Sequence, residues 1–421
     1  MRPAARLQMV IEILQALAST EQPLDRFLHD WFRSRRFAGS KDRAAISERV
    51  FDIARHRAYL AWRMGSETPR ALVIASVLKD GEAPERYFCD EGYAPSALDA
   101  AERSAIATPA TGEPPLWVKG EFPAFLEPEL TRAFGPDLLE EMQALQSRAP
   151  VDLRVNTLKR ARGEVLEELR SGGFAARATA FSPIGIRLAS APAALGTTAL
   201  FGNGAFEFQD EAAQIAALLC RAQPGERVLD LAAGAGGKSL ALAAMMQNKG
   251  QIVACDIRQT ALQQLALRAK RAGAGIIHTH LSGPPEGSFD AVLVDAPCSG
   301  TGTWRRQPEL RWRLTPETLA ARIATQDTLL DQAATRVRAG GRLIYATCSL
   351  LPCENEDRIE AFLARHADFA VRPCAEVWRE SINSAVPQGM ARFFRASPHT
   401  TATDGFFVAT LLRWTSKGGN P

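Results

Sequence analysis

From Phe206 onward the chain alternates short β-branched runs with stretches of helical periodicity. That alternation constrains the fold more than any other feature. Strands are predicted over residues 227–231, 251–256, 276–280, 289–295 and 342–347, with helices between them, for example over 260–272 and 316–337. Strands separated by helices bury both faces of a mostly parallel sheet, so the expected class is α/β with a doubly wound, Rossmann-like sheet. In such sheets ligands bind in the crevice beyond the carboxyl ends of the strands. The residues that follow each strand are therefore the ones to search for chemistry.

The rest of the chain is organised differently. With 421 residues, two or three domains are expected. Residues 3–80 read as helices, with Leu7, Val10, Ile11, Leu14 and Leu17 at helical spacing and Pro23 and Pro69 near helix starts. Residues 80–142 are acidic and proline-rich, a connector with short helices. A strand over 151–157, a helix ended by Gly172-Gly173 and a strand over 184–188 make a small α/β unit. The expected division is 1–142 for the helical domain and connector, 143–205 for the small α/β domain and 206–421 for the large sheet.

Composition excludes more than it assigns. A formal net charge of +3 does not by itself indicate nucleic acid. The 7 cysteines form no C-x-x-C pair, which argues against a disulfide framework and a metal site and fits a reducing, cytoplasmic setting. His278 and His280 alternate on a predicted strand without a third ligand, so no metal is expected. No apolar run is long enough to span a bilayer. One local cluster stands out: Arg33, Arg35, Arg36, Lys41 and Arg43, interleaved with Trp31, Phe32 and Phe37. It suits an RNA-facing surface and suits a solvated helix face equally well.

The first large-sheet strand runs into Asp230, Leu231, Ala232, Ala233, Gly234, Ala235, Gly236, Gly237, Lys238 and Ser239. Glycines here let the backbone approach a ligand. A phosphate-binding P-loop needs glycine where Ala232 stands, and a dinucleotide fingerprint starting at Gly234 would end on Ser239. S-adenosylmethionine, which carries no pyrophosphate, is the third class. Asp256 closes the next strand, with Arg258 two residues on, and is placed to accept from ribose hydroxyls. Both NAD and S-adenosylmethionine carry that ribose, so Asp256 does not separate them.

Two of the remaining strands end in cysteines. Cys298 closes the run from Val292 through Asp295, Ala296 and Pro297, and Cys348 closes the run from Leu343 through Thr347. A free cysteine is usually a small buried hydrophobe, but two thiols delivered to one crevice suit a particular reaction. Carbon-5 of cytosine is a poor nucleophile until a thiolate adds to the neighbouring ring carbon and breaks the aromaticity. After methyl transfer the carbon-5 proton must leave and the thiol must be eliminated, which needs a second group. Thr303-Trp304-Arg305-Arg306 and Arg311-Trp312-Arg313 follow Cys298 and could bind phosphates and stack on bases, or supply core tryptophans with surface arginines.

At these residues the chain resembles the Sun/Fmu family of S-adenosylmethionine-dependent RNA 5-methylcytosine methyltransferases. Asp295 to Gly302 is similar to the family's fourth motif, and Ala346 to Leu350 followed by Glu354-Asn355-Glu356 to its sixth. Phe208 to Ala212, Arg154-Val155-Asn156-Thr157 and Asp404 to Phe407 resemble further family segments. The resemblance implies that Cys348 is the nucleophile, that Cys298 assists release, and that Asp295 and Lys238 act at the cytosine and near the transferring methyl. It implies S-adenosylmethionine held by Asp230, Ala232, Ala233, Gly234, Gly236, Gly237, Lys238, Asp256, Arg258 and Asp295. It places RNA on Arg154, Asn156, Arg305, Arg306 and Arg311, as well as on the basic helical cluster. The helical N-terminus resembles the antitermination-factor-like extension of the bacterial 16S rRNA branch, which favours ribosomal RNA over tRNA; separately, a monomer is expected. Ala232 and Ala235 stand where the family often has Cys and Pro, and the third strand leads to Ser282-Gly283 without the usual carboxylate. Two rivals remain: a tRNA cytosine methyltransferase of the same family, and a non-catalytic RNA-binding assembly factor on a retained fold.

Overall fold

The computed structural model describes residues 1–108, 110, 112–189, 193–382, 384–387 and 389–414. By contacts the chain forms two units, one of residues 1–148 with 303–314 and one of residues 149–302 with 315–421.

The first unit opens with helices Pro3–Leu17, Leu24–Arg33, Ser40–Arg55, Arg57–Met64 and Pro69–Lys79. Their apolar stripes close on one core that includes Val10, Ile13, Ile46, Val50, Leu60 and Ile74. Short helices such as Ala100–Ala107 and Glu127–Phe134 follow. Asp99 caps the former by accepting from the Glu102 amide at 2.8 Å. Residues 303–314 complete this unit, although the sequence places them in the large sheet domain. The physical reason is their burial. Trp304 and Arg311 are fully enclosed, and Arg311 donates to the Glu121 carbonyl at 2.8 Å. Trp312 donates to the Ala54 carbonyl at 2.8 Å.

The second unit holds two sheets. The smaller is antiparallel, formed by β1 (Val151–Val155), β2 (Ala176–Ala178), β3 (Gly185–Leu188) and β4 (Phe206–Phe208) in the order β2-β3-β1-β4. Strand β4 lies past the boundary expected at 205. It pairs with β1, with Val155 opposite Phe206, because Phe206 is a core residue of this sheet.

The larger sheet contains β5 (Arg227–Asp230), β6 (Gln251–Asp256), β7 (Ile277–Leu281), β8 (Phe289–Asp295), β9 (Val337–Thr347), β10 (Phe369–Arg372), β11 (Phe394–Ala396) and β12 (Phe406–Arg413). The order is β10-β12-β9-β8-β5-β6-β7, with β11 paired to β12. Strands β5 to β9 are parallel; β12 runs antiparallel to β9. Successive side chains point to opposite faces. Val228, Ile252, Leu293 and Ile344 pack on one side. Leu229, Val253, Val292, Leu343 and Tyr345 pack on the other. Strand order reverses at β5, between β6 and β8, and the crevice for ligands lies there. Edge strand β7 leaves His278 and His280 exposed. Among the described residues no helix is long and apolar enough to cross a membrane.

Candidate active site

Strands β8 and β9 are hydrogen-bonded neighbours with Asp295 opposite Ala346. Their carboxyl ends deliver the loops of Cys298 and Cys348 side by side, with the two Sγ atoms 3.4 Å apart. Both thiols are partly exposed, whereas Cys220, Cys255 and Cys374 are buried. The loops are stitched together by their backbones. The Gly302 amide donates to the Cys348 carbonyl at 3.0 Å, and the Gly405 amide donates to the Gly302 carbonyl at 2.8 Å. The Leu350 amide donates to Thr301 Oγ1 at 2.7 Å. The Cys298 thiol is held well above its ordinary pKa, first by its hydrogen bond to Cys348, then by burial, then by the negative charges that Cys348 and Glu354 carry when ionised.

Lys238, near the start of helix Gly237–Met245, reaches across to Asp295, with Nζ 2.6 Å from Oδ2. Burial disfavours the ammonium, but the Asp295 carboxylate outweighs it and raises the lysine pKa. The amine also lies 4.9 Å from the centre of the Phe406 ring. Beside it, the loop after β5 turns through Gly234 (φ +56°) and Gly236 (φ +80°). A Cβ at Gly236 would sit 2.6 Å from Leu265 Cδ1, so the turn needs glycine on both counts. Asp256 accepts from the Gly234 amide at 2.8 Å and from Arg258 Nε and Nη2 at 3.0 Å each. Burial opposes its ionisation, yet these bonds hold the carboxyl below the usual range. Asp230 is fully buried and accepts from Ser239 Oγ at 2.6 Å through one oxygen, while Oδ1 has no partner among the described residues. Burial raises its pKa to about 7.

Two family models match the chain. One, described as 16S rRNA methyltransferase RsmB/F, spans residues 217–412. The other, an RsmF/B-like ferredoxin-like domain, spans residues 122–194. A probable ribosomal RNA small subunit methyltransferase B from Synechocystis sp. is 36% identical over 300 residues, covering 69% of this chain and 67% of that protein. The chain belongs to the RsmB/F methyltransferase family. The crystal structure of PH0851 matches with a TM-score of 0.75 and 25% identity over 98% of this chain and 99% of that one. A methyltransferase homologue from Pyrococcus horikoshii matches with a TM-score of 0.61 and 26% identity, over 70% of this chain and 97% of that one.

S-adenosylmethionine is the methyl donor of RsmB/F enzymes, and the crevice suits it. The orphaned Asp230 Oδ1 is a buried acceptor awaiting a donor such as an ammonium. Asp256 presents a carboxylate at the end of β6, where ribose hydroxyls are bound in doubly wound sheets.

For RNA, the structure of this RsmB/F member divides the expected residues. Arg33, Arg36 and Lys41 are exposed on the helical unit, and Arg35 stacks on Trp31 at 3.5 Å. Arg43 donates to the Ala38 carbonyl at 2.7 Å. Arg33, Arg36 and Arg43 line a surface cleft of about 890 Å³, and Phe37 is 73% exposed. Four other residues are corrected. Arg154 is 3% exposed and bonds the Gln209 side chain and the Gly237 carbonyl. Asn156 donates to the carbonyls of Gly204 at 2.9 Å and Ala272 at 2.8 Å. Both tie the small sheet to the large one rather than meeting phosphates. Arg305 and Arg311 are buried as well, and Arg311 serves the helical core, with its pKa brought down to about 10 mainly by burial. Trp304 is a core side chain, not a stacking platform. Arg306 remains partly exposed.

Sequence reasoning assigned no role to Glu354, Ser299, Ser349 or Gln326, which surround the thiol loops. The only signal for Ser299, Ser349 and Glu354 was their place inside the two cysteine motifs, and Gln326, on helix Pro316–Ala334, carried none.

Proposed function

We propose that this enzyme methylates carbon-5 of a cytosine in 16S ribosomal RNA through a covalent adduct with Cys348. The observation that carries the proposal is the 3.4 Å separation of Cys298 and Cys348 Sγ at the mouth of one crevice, beside the Lys238–Asp295 pair. The ribosomal substrate is supported by the family description and by the name of the Synechocystis relative.

Bound S-adenosylmethionine supplies an electrophilic methyl group. Asp295, held by Lys238, faces the polar edge of the base. Addition of the Cys348 thiolate to carbon-6 pushes the ring electrons to carbon-5, which accepts the methyl. Alkylation turns Cys348 into a neutral thioether. The chief cause of the raised Cys298 pKa is its interaction with Cys348, so Cys298 becomes easier to ionise just after the adduct forms. Its proton passes to solvent, and the Cys298 thiolate then takes the carbon-5 proton. The electron pair of that C–H bond closes the carbon-5–carbon-6 double bond, and the Cys348 sulfur leaves as thiolate. The target ring face is hidden in a duplex, so the base is unpaired or flipped out.

Two variants test this with 16S rRNA and labelled cofactor. Cys348→Ala abolishes transfer. Cys298→Ala leaves protein attached to RNA, seen as a slow band on a denaturing gel. Normal turnover by the first, or free product release by the second, refutes the assignment, and bisulfite sequencing of the product locates the base.

A further inference from the structure

Behind the two thiols lies a carboxylate that the mechanism above does not use. Glu354 sits in the short 3-10 turn Pro352–Glu354 after β9 and is 0% exposed. Its Oε1 accepts from the Ser299 amide at 2.8 Å and from Gln326 Nε2 at 3.0 Å. Its Oε2 accepts from Ser299 Oγ and Ser349 Oγ, each at 2.5 Å. Ser299 follows Cys298 and Ser349 follows Cys348. A single side chain therefore grips the residue after each thiol. Burying a carboxylate is expensive unless its lone pairs are satisfied, and here four donors satisfy them. Charge-assisted bonds of this kind are short and strong, so the grip is stiff. Gln326, on helix Pro316–Ala334, also donates to the Pro297 carbonyl at 3.0 Å, adding a second hold on the Cys298 loop. Asn355 holds the other side, donating to the Ser349 carbonyl at 2.9 Å and accepting from Thr347 Oγ1 at 2.6 Å.

We propose that Glu354 is the positioning residue of the two-thiol site: its buried carboxylate ties the Cys298 loop to the Cys348 loop and fixes the distance between the two sulfurs. The proposal rests on the adduct mechanism for its catalytic consequence but not for its geometry. A base caught between two thiols needs both at fixed reach, one to bond carbon-6 and one to meet the carbon-5 proton. Loops that drift apart lose the second step even when the first survives. The carboxylate also acts through charge, since it adds to the pressure that keeps Cys298 protonated before the adduct forms.

Glu354→Gln tests this. The amide keeps the size but removes the charge, and both serine hydroxyls must turn from donating to accepting, so short charge-assisted tethers become weaker neutral ones. The first readout needs no RNA. Diamide oxidises the Cys298 and Cys348 thiols to an intramolecular disulfide, with the two electrons and two protons taken up by the diazene, and peptide mapping by mass spectrometry times that cross-link. Glu354→Gln slows it at least tenfold, and Ser349→Ala, a milder cut of one tether, slows it severalfold. The second readout is turnover on 16S rRNA. There kcat falls by roughly 10²-fold, as expected for a displacement of about 1 Å, while KM for RNA and calorimetric cofactor affinity stay within threefold. Glu354→Asp, too short to reach both serines, does not restore kcat. Wild-type cross-linking rates in both Glu354→Gln and Ser349→Ala overturn the proposal. So does a loss of cofactor binding in step with turnover, which would make Glu354 a general fold residue. If the wild-type enzyme methylates no cytosine, the mechanism fails while the cross-linking result still decides the role of Glu354.

Discussion

Gly302→Ala puts the coupling between the two cysteine loops to a quantitative test. Gly302 and Gly405 touch backbone to backbone. A Cβ on Gly302 would lie 2.6 Å from both Cα and the carbonyl carbon of Gly405. Ordinary contact begins near 3.4 Å and the Gly405 carbonyl oxygen is closer still, so one backbone must retreat by at least about 0.8 Å, and neither is a flexible side chain that could swing aside. Gly302 also donates to the Cys348 carbonyl and accepts from Gly405, so the retreat is passed directly to the nucleophile's loop. Overpacking of this kind costs roughly 1–3 kcal/mol of stability. A displacement approaching 1 Å costs about 10²-fold in rate where reacting atoms must align. Urea unfolding measures the first quantity, and single-turnover methylation of 16S rRNA with saturating cofactor measures the second. The expected variant folds, binds cofactor and turns over about a hundredfold more slowly. A rate within threefold of wild type would show that the loops do not depend on this contact.

Four further outcomes follow from the geometry. Glu121 accepts from the Ala58 and Tyr59 amides, and burial raises its pKa from 4.5 to about 7. The folded state thus holds a proton that the unfolded state releases, and stability from this group is complete below pH 4.5 and lost as pH rises through 7. That amounts to about 3 kcal/mol, and Glu121→Gln should lack that part of the slope in urea titrations between pH 5 and 8. Asp152 meets Arg187 through two 2.7 Å bonds in a buried pair, so Asp152→Ala costs roughly 3–5 kcal/mol by the same measurement. Arg33→Ala and Arg36→Ala each weaken RNA binding and reduce the salt slope of log K by about 0.7–0.9, whereas Arg311→Ala destabilises the protein without changing that slope. Asp256→Ala weakens S-adenosylmethionine binding in calorimetry by about tenfold or more, a charged hydrogen bond being worth roughly 1.5–3 kcal/mol.

The inner parallel strands β5, β6, β8 and β9 are legible in the sequence because each holds a run of buried apolar residues, whereas edge strand β7 is largely exposed. Strands β2, β4 and β11 span 3 residues each, too short for a period to show, and they pair through contacts distant in the chain. The two thiols, Lys238 and Asp295, singled out in the sequence by their motifs, lie in pairs in the structure, with the sulfurs 3.4 Å apart and the amine 2.6 Å from the carboxylate. Arginines are where sequence reading fails. Arg33 and Arg311 look alike in a basic, aromatic-rich stretch, yet one is exposed and the other enclosed. Only tertiary packing decides whether a guanidinium finds carbonyls or water. The grip of Glu354 is hidden for the same reason, since the four groups that bond its carboxylate come from three separate stretches of chain.

The excursion of residues 303–314 has a practical corollary. The polypeptide departs from the methyltransferase unit directly after Gly302 and rejoins it at Thr315. The helical unit is therefore built from two separate stretches of chain. Trimming it at its carboxyl boundary would strand an indole and a guanidinium that have no other home.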